Sequence, residues 1–233
     1  MHPEAWQLTL TNVSGKTAGA TATGAKARKR GRSKAPSTAP RGLCGNSVFL
    51  VGFMGAGKST VGRALGRLLN WTFEDLDDRI ATREGRSVAE IFRDSGESEF
   101  RRAEHAALQQ LLAELRGGIV RIIALGGGTF AQEQNHKAIL ASGVRTIFLD
   151  APLPELWQRC ARQTALEVKR PLQTSETQFR ELHQKRLPFY RTASLRFDTS
   201  GKQAEAVAAE IAEKLEELGL KKITIRAEQG EDE

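Results

Sequence analysis

The sequence lacks any apolar run approaching the roughly 20 residues that a membrane-spanning helix needs, which argues against a membrane protein. Cysteine is nearly absent, and Cys44 and Cys160 match no metal-binding or redox spacing. A disulfide framework is therefore excluded, and a reducing compartment such as the cytoplasm fits best. The chain also has no internal repeat. Its 233 residues, 39% of them hydrophobic, suit one medium-sized domain with a buried core plus appendages.

Acidic residues are almost missing from the first part of the chain, which explains the net charge of +7. Of the 35 basic and 28 acidic residues, residues 1–46 hold eight basic ones and a single acid, Glu4, which leaves 27 of each sign in the remainder. The basic character therefore belongs to the N-terminal segment. Because the remainder is neutral, we expect neither nucleic acid nor membrane among the partners of the folded domain.

Large apolar side chains are also scarce at 11–42. This segment is rich in Ala, Thr, Gly, Ser, Lys and Arg, and Val13 is its only large apolar residue. Such a segment cannot bury enough surface to offset the entropy of ordering it. We predict a disordered basic tail at 1–44, a folded domain at 45–219 and a polar C-terminal tail at 220–233. Three interpretations of the basic tail stay open: a solvated segment without specific function, a plastid transit peptide, and an arm for nucleic acid or a membrane surface.

Short apolar runs alternate with segments of helical spacing from residue 47 onwards. The predicted strands lie at 47–51, 72–74, 119–125, 144–149 and 195–197. The predicted helices lie at 58–69 and near 87–94, 97–115, 132–141, 153–163, 175–185 and 202–218. This alternation indicates an α/β fold with a central parallel sheet of about five strands and helices on both faces.

Residues 52–59 (GFMGAGKS) match the pattern of a phosphate-binding loop, with a predicted strand before it and a helix after it. In such a loop, backbone N–H groups and the start of the helix surround the phosphates. Lys58 would reach the β- and γ-phosphates, and the Ser59 hydroxyl would bind Mg²⁺. The predicted ATP-binding residues here are Gly55, Ala56, Gly57, Lys58, Ser59 and Thr60. The alternative, a chance glycine-rich turn, does not explain the flanking strand and helix.

Three acids follow the predicted strand at 72–74, at the strand end that faces the ligand crevice of a parallel sheet. Asp75 and Asp77 are two residues apart, so both side chains would point the same way from an extended chain. We predict that Asp75 holds Mg²⁺ through water and that Asp77 meets the phosphoryl acceptor. The alternative is that these acids stabilise the start of the next helix, which is the role we expect for Asp78.

The order and spacing of these motifs and four later ones resemble those of shikimate kinase. The motifs are the phosphate loop followed by FEDLDDRI (73–80), SEFR (98–101), LGGGT (125–129), KRPL (169–172) and RLPFY (186–190). The resemblance covers about residues 47–218 and implies a P-loop NTPase-type three-layer sandwich. It also implies ATP- and Mg²⁺-dependent phosphorylation of the 3-hydroxyl of shikimate, a step in aromatic amino acid biosynthesis.

The resemblance further implies roles for single residues. Asp77 would be the catalytic base, and Arg101 and Arg186 would bind the acceptor carboxylate, which suits the forked guanidinium group. Arg170 would close over the nucleotide with a mobile lid and support the transferring phosphoryl group. The predicted catalytic residues are thus Lys58, Asp77 and Arg170. The predicted substrate-binding residues are Asp77, Arg101, Gly126, Gly127, Gly128 and Arg186, where the glycines let backbone approach substrate.

The chain departs from the family pattern at its adenine end. Gln163 stands where the family often has an arginine against adenine, and Arg159 and Arg162 are the alternatives for this role. The expected adenine-contacting loop at 198–203 (DTSGKQ) lacks the family's common proline. The motifs therefore define the acceptor side of the site more sharply than the adenine side.

We expect one Mg²⁺ ion per subunit, ATP as co-substrate, and a cytoplasmic monomer, or a plastid protein if residues 1–44 are a transit peptide. Two other functions match parts of the sequence: a P-loop kinase for another polyhydroxy acid such as gluconate, and a non-catalytic nucleotide-binding protein whose basic tail binds nucleic acid. Arg101 and Arg186 argue against a neutral acceptor. The intact phosphate loop and Asp77 argue against lost catalysis.

Overall fold

The computed structural model describes residues 46–164 and 175–220. None of the helices within them combines the length and apolar character needed to cross a membrane. The predicted tail at 1–44, residues 221–233 and the predicted lid motif at 169–172 lie outside the described residues.

The centre of the fold is a parallel sheet. Its strands are β1 (Val48–Val51), β2 (Thr72–Asp75), β3 (Arg121–Ala124), β4 (Arg145–Asp150) and β5 (Leu195–Asp198), in the order β2–β3–β1–β4–β5. In the central strand β1, Val48 is in register with Ile122 of β3 and with Arg145 of β4. All four residues of β1 are buried, as expected for a strand covered on both faces. The chain builds outward on both sides of β1, so a ligand crevice is expected at the carboxyl end of this strand.

Helices cover this sheet. They are α1 (Lys58–Leu69), α2 (Leu76–Glu84), α3 (Val88–Arg116), α4 (Glu133–Ser142), α5 (Leu153–Thr164), α6 (Glu176–Tyr190) and α7 (Ala204–Glu217), with a short 3₁₀ turn at Thr129–Ala131. Helix α1 packs against α7 and α2 against α3. In α1, Val61, Leu65 and Leu69 recur every four residues and are buried, which explains why this segment packs as a helix. The predicted α/β class with five parallel strands and helices on both faces is confirmed.

The helices predicted near 87–94 and 97–115 are both present, joined in α3 across a kink. At the kink Gly96 has φ 79° and ψ 176°, which residues with a side chain rarely adopt. A capping box fixes the start of α3, because the Ser87 hydroxyl accepts from the Glu90 N–H and the Glu90 carboxylate accepts from the Ser87 N–H. Arg101 lies in the first turns after the kink.

A charge network joins β2, α2, α3 and β3. Arg79 Nε donates to Glu74 at 2.5 Å, and its two Nη atoms donate to Glu114 at 2.8 Å each. Arg121 donates to the same two carboxylates at 2.6 and 2.9 Å. The four side chains are only 14–26% exposed, so solvent screens these charges incompletely. Hydrogen bonding to the Arg79 guanidinium lowers the pKa of Glu114 below its ordinary value.

We predict that Glu114→Gln lowers the free energy of unfolding by about 1–3 kcal/mol at neutral pH, because two half-buried arginines lose a shared carboxylate. Since the folded-state pKa of Glu114 is lowered, this contribution is present above the ordinary glutamate range and is lost as pH falls through the folded value. Urea unfolding at about pH 7 and about pH 4 measures both effects.

The matched control is Glu133→Gln, which breaks an exposed pair with Lys137 and should cost at most about 0.5 kcal/mol. Equal losses in the two variants would show that the network adds nothing to stability.

Candidate active site

The phosphate loop occupies residues 52–57, between β1 and α1. Lys58 Nζ donates to the carbonyl oxygens of Gly52 at 2.9 Å and Phe53 at 3.1 Å, so its side chain folds back over the loop. Gly55 has φ 79°, and a Cβ here would lie 2.6 Å from a backbone carbonyl of α5, so only glycine fits. Helix α1 has neither an acid in its first turn nor a side-chain cap, which leaves its N-terminal N–H groups available to phosphate.

Ser59 and Asp75 are in direct contact, because the Ser59 hydroxyl donates to Asp75 Oδ2 at 2.7 Å. Both groups are oxygen ligands of the kind that Mg²⁺ prefers, and Mg²⁺ is usually held by one or two carboxylates together with phosphates and water. The predicted metal residues therefore fit the ion. In the part of the chain that the structure describes, no group of three or more Asp, Glu, His or Cys is placed to hold a metal ion.

The predicted extended chain through Asp75 and Asp77 is wrong, although both residues line one cavity. Strand β2 ends at Asp75, and Asp77 already lies in the first turn of α2. Asp75 caps this helix, since its Oδ1 accepts from the Asp77 backbone N–H at 3.1 Å. The capping role and the contact with Ser59 thus fall on different oxygens of one carboxylate. Asp78 lies in the first turn of α2, as expected.

A cavity joins the phosphate loop to the carboxyl ends of β2 and β3. Its walls include Lys58, Ser59, Thr60, Asp75, Asp77, Gly126 and Gly127. A Cβ on Gly126 would lie 2.9 Å from Asp77 Oδ1, so the carboxylate rests against this backbone. The candidate base therefore faces the same space as the lysine of the phosphate loop.

Two arginines reach the glycine turn at 126–128 from different helices. A Cβ on Gly128 would lie 2.8 Å from Arg101 Nη1, which comes from α3. A Cβ on Gly127 would lie 3.4 Å from Arg186 Nη1, which comes from α6. The fold therefore brings Arg101 and Arg186 to the turn that Asp77 also touches.

Arg186 is buried, with 7% of its surface exposed. Burial lowers its pKa, and the charge of Arg101 acts in the same direction. Arg101 is paired with Glu97 and Glu104, at 3.0 Å in each case. Within residues 46–164 and 175–220, by contrast, no acid forms an ion pair with Arg186. A buried cation in this state favours an anionic ligand, because its desolvation is otherwise offset only in part.

The sequence motifs do not indicate Glu104, a buried acid that organises the acceptor side. Its carboxylate is 1% exposed and accepts from Thr129 Oγ1 at 2.5 Å, from Arg101 at 3.0 Å and from the Gln132 amide. These bonds tie α3 to the 3₁₀ turn that follows the glycines. The only sequence signal for this role is the spacing of Arg101 and Glu104, three residues apart on a helix. Because such pairs are also common on exposed helices, the spacing does not indicate a buried site residue.

A second cavity lies on the other side of the phosphate loop. Its lining includes Gly57, Thr60, Arg159, Arg162, Thr199 and Lys202. Arg159 donates to the Thr199 carbonyl at 2.7 Å and to its hydroxyl at 3.0 Å. Arg162 is exposed and lines the same space, so both alternatives for the adenine contact border this cavity. Arg170 and the side chain of Gln163 lie outside the described residues.

A phosphate loop at the end of the central strand, with an acid that faces it across a cavity, defines a P-loop kinase of small molecules. The buried arginine beside the glycine turn indicates that its acceptor is an acid.

Comparison with known proteins gives the particular family. A family model for shikimate kinase matches residues 54–216. The chain is 39% identical to a shikimate kinase of Thermus thermophilus over 171 residues, which is 72% of this chain and 89% of that one. It is 40% identical to a shikimate kinase of Nitrosospira multiformis over 179 residues, 75% of this chain and 87% of that one. The structure of shikimate kinase from Acinetobacter baumannii in complex with shikimate superposes with a TM-score of 0.66 at 32% identity, covering 76% of this chain and 96% of that one.

The chain therefore belongs to the shikimate kinase family, and its reaction is the ATP-dependent phosphorylation of shikimate. The predicted family and enzyme class are confirmed. The alternatives, a kinase of another polyhydroxy acid and a non-catalytic binding protein, are not favoured.

We predict that Gly128→Ala raises KM for shikimate about tenfold, since the new Cβ would stand 2.8 Å and 3.0 Å from the two Nη atoms of Arg101. The guanidinium would have to move, whereas the nucleotide side would stay intact and KM for ATP unchanged. The control is Gly85→Ala at the end of α2, where φ is 65° and no heavy atom lies within 4 Å of the added Cβ. It should lower stability by about 1 kcal/mol without changing KM. The same KM in both variants would contradict the prediction.

Proposed function

We propose that the site transfers the γ-phosphoryl group of ATP to the 3-hydroxyl of shikimate, with Lys58 acting on the donor and Asp77 on the acceptor. The observation that carries this assignment is the convergence of three charged groups on the glycine turn. Their nearest atoms lie 2.9 Å (Asp77), 2.8 Å (Arg101) and 3.4 Å (Arg186) from the ideal Cβ positions of the glycines. The same turn lines the cavity that the phosphate loop also lines.

On the acceptor side, Arg101 and Arg186 bind the shikimate carboxylate and thereby fix the orientation of the ring. Asp77 accepts a hydrogen bond from the 3-hydroxyl and aims its oxygen at the γ-phosphorus. As the new O–P bond forms, the hydroxyl proton passes to the Asp77 carboxylate and ADP departs with the electron pair of the broken O–P bond.

On the donor side, Lys58 and the N-terminus of α1 offset the charge of the phosphates. Ser59, and Asp75 through water, would hold one Mg²⁺ ion per subunit, which supplies further charge neutralisation on the phosphate oxygens when bound. Arg170, by its resemblance to the family motif, would close over the nucleotide and support the transferring group. An arginine in such a role contributes about 10³–10⁵ in rate in related systems.

We also propose that the catalytic unit is the domain at 45–219, acting as a cytoplasmic monomer, and that residues 1–44 and 220–233 are appendages. The family model matches residues 54–216 and neither terminal segment, which supports this division.

A coupled ADP-release assay tests the assignment with shikimate, gluconate and no acceptor, on the full chain and on a chain that lacks residues 1–44. We expect rapid ADP release with shikimate only, from both proteins, because the site lies wholly within the matched domain. Equal release with gluconate, or loss of activity on truncation, would contradict the acceptor or the domain proposal respectively.

Two substitutions separate the roles of base and carboxylate anchor. Asp77→Asn should lower kcat by about 10²–10⁴ with little change in KM, since it removes only proton acceptance. Arg186→Ala should raise KM for shikimate by about 10–100-fold, because a charge-assisted contact made in the ground state is lost. Steady-state kinetics with each substrate varied measures both.

The control for these variants is Asp78→Asn, which changes an acid of the same helix turn that is absent from the cavity wall among the described residues. It should behave like wild type. Wild-type-like kinetics from Asp77→Asn and Arg186→Ala as well would refute the assigned roles.

A further inference from the structure

Tyr190 is the only tyrosine of the chain and the last residue of α6. It has no exposed surface, and its ring stacks on Phe148 with 5.5 Å between the centroids. Its hydroxyl donates a hydrogen bond to the backbone carbonyl of Gly127, in the middle of the glycine turn. The end of α6 is therefore tied directly to the turn that the proposed acceptor would contact.

Arg186, one helical turn earlier, reaches the same residue, since its Nη1 lies 3.4 Å from the ideal Cβ position of Gly127. Burial raises the pKa of Tyr190 to about 12, and the charge and a hydrogen bond of the Arg186 guanidinium act in the opposite direction. The phenol is thus protonated at neutral pH, and its single hydrogen is given to Gly127. The Tyr190 oxygen can still accept a hydrogen bond, and the Arg186 guanidinium can donate it.

This tie lies beside Pro188, which is inside α6. Proline has no N–H, so the helix bond to the carbonyl four residues earlier is missing here. Arg186 and Tyr190 flank this weak point. A contact to a fixed element outside the helix would therefore determine where Arg186 is held.

We propose that Tyr190 is a positioning residue for the acceptor: its hydroxyl bridges the Gly127 carbonyl and Arg186, and so fixes the distance between the glycine turn and the carboxylate-binding arginine. This inference rests on the proposed acceptor role of Arg186. It assigns to the motif at 186–190 a function in substrate geometry as well as in packing.

Tyr190→Phe removes one oxygen and keeps the ring that stacks on Phe148. We expect KM for shikimate to rise about 5–20-fold, because Arg186 and the Gly127 carbonyl lose their shared partner. KM for ATP and kcat should change less than about twofold, since neither the phosphate loop nor Asp77 contacts this hydroxyl.

The matched control is Ser47→Ala. Ser47 is also buried, and its hydroxyl donates to a backbone carbonyl, that of Ile119, at 3.0 Å, but it lies at the opposite end of β1 from the crevice. It removes the same kind of bond and should lower thermal stability without raising KM for shikimate.

A second measurement uses the unaltered protein. Because the chain has one tyrosine, labelling it with ¹³C at Cζ gives a single NMR signal that needs no assignment. Shikimate should shift this signal as its carboxylate engages Arg186, whereas MgADP alone should shift it far less.

The outcomes are distinguishable. Absence of shikimate-dependent ADP release from the wild type would overturn the proposed function and this inference together. If the wild type is active, two results for Tyr190→Phe would overturn the inference alone. One is a KM for shikimate equal to that of Ser47→Ala, and the other is a rise in KM for ATP as large as the rise in KM for shikimate. A tyrosine signal that does not respond to shikimate would also overturn it.

Discussion

The missing side chains of the glycine turn at 126–128 are the constraint on which the site depends. Atoms of Asp77, Arg101 and Arg186 lie 2.8–3.4 Å from the places where Cβ atoms would stand, so an ordinary side chain would displace the groups that meet there. The turn follows β3, the neighbour of β1, and in a parallel sheet the carboxyl ends of such strands share one edge. The glycine turn thus lets the three proposed acceptor-binding side chains come close to the phosphate loop.

Charge balance around this turn explains a preference for an acid. Arg101 has two carboxylate partners, whereas Arg186 is buried, is repelled by Arg101, and has no ion pair within the described chain. The folded protein therefore holds a cation whose desolvation is offset incompletely. An acceptor carboxylate would supply the missing charge, and a neutral polyol of similar shape would not. In this view, specificity comes from the buried positive charge of Arg186, which the folded protein itself does not fully neutralise.

Much of this was predictable from the sequence, and each exception has its own physical cause. The phosphate loop, the five strands and the glycine turn are local patterns, and their places follow from hydrophobic runs and glycine spacing. The chain at Asp77 is helical and not extended, because α2 starts directly after β2, and Asp75 takes the helix-capping role that the sequence offered as the alternative. The partners of Glu104 and Tyr190 were not predictable, since they are set by tertiary packing between distant segments. The adenine side stays open for a different reason, since the chain departs from the family pattern at Gln163 and at residues 198–203.

The two halves of the site differ in how far they are organised before substrates bind. On the proposed acceptor side, the buried Glu104 accepts a hydrogen bond from Arg101 and the buried Tyr190 donates one to the Gly127 carbonyl, so little ordering entropy remains to be lost. On the donor side, Lys58 contacts loop carbonyls that phosphate oxygens would have to replace, and Arg162 is exposed. On the proposed roles, nucleotide binding would require these contacts to rearrange, whereas the acceptor would enter a site whose groups are already held in place. On the proposed roles, selectivity for the acid belongs to the pre-formed half of the site, and adjustment on binding belongs to the nucleotide half.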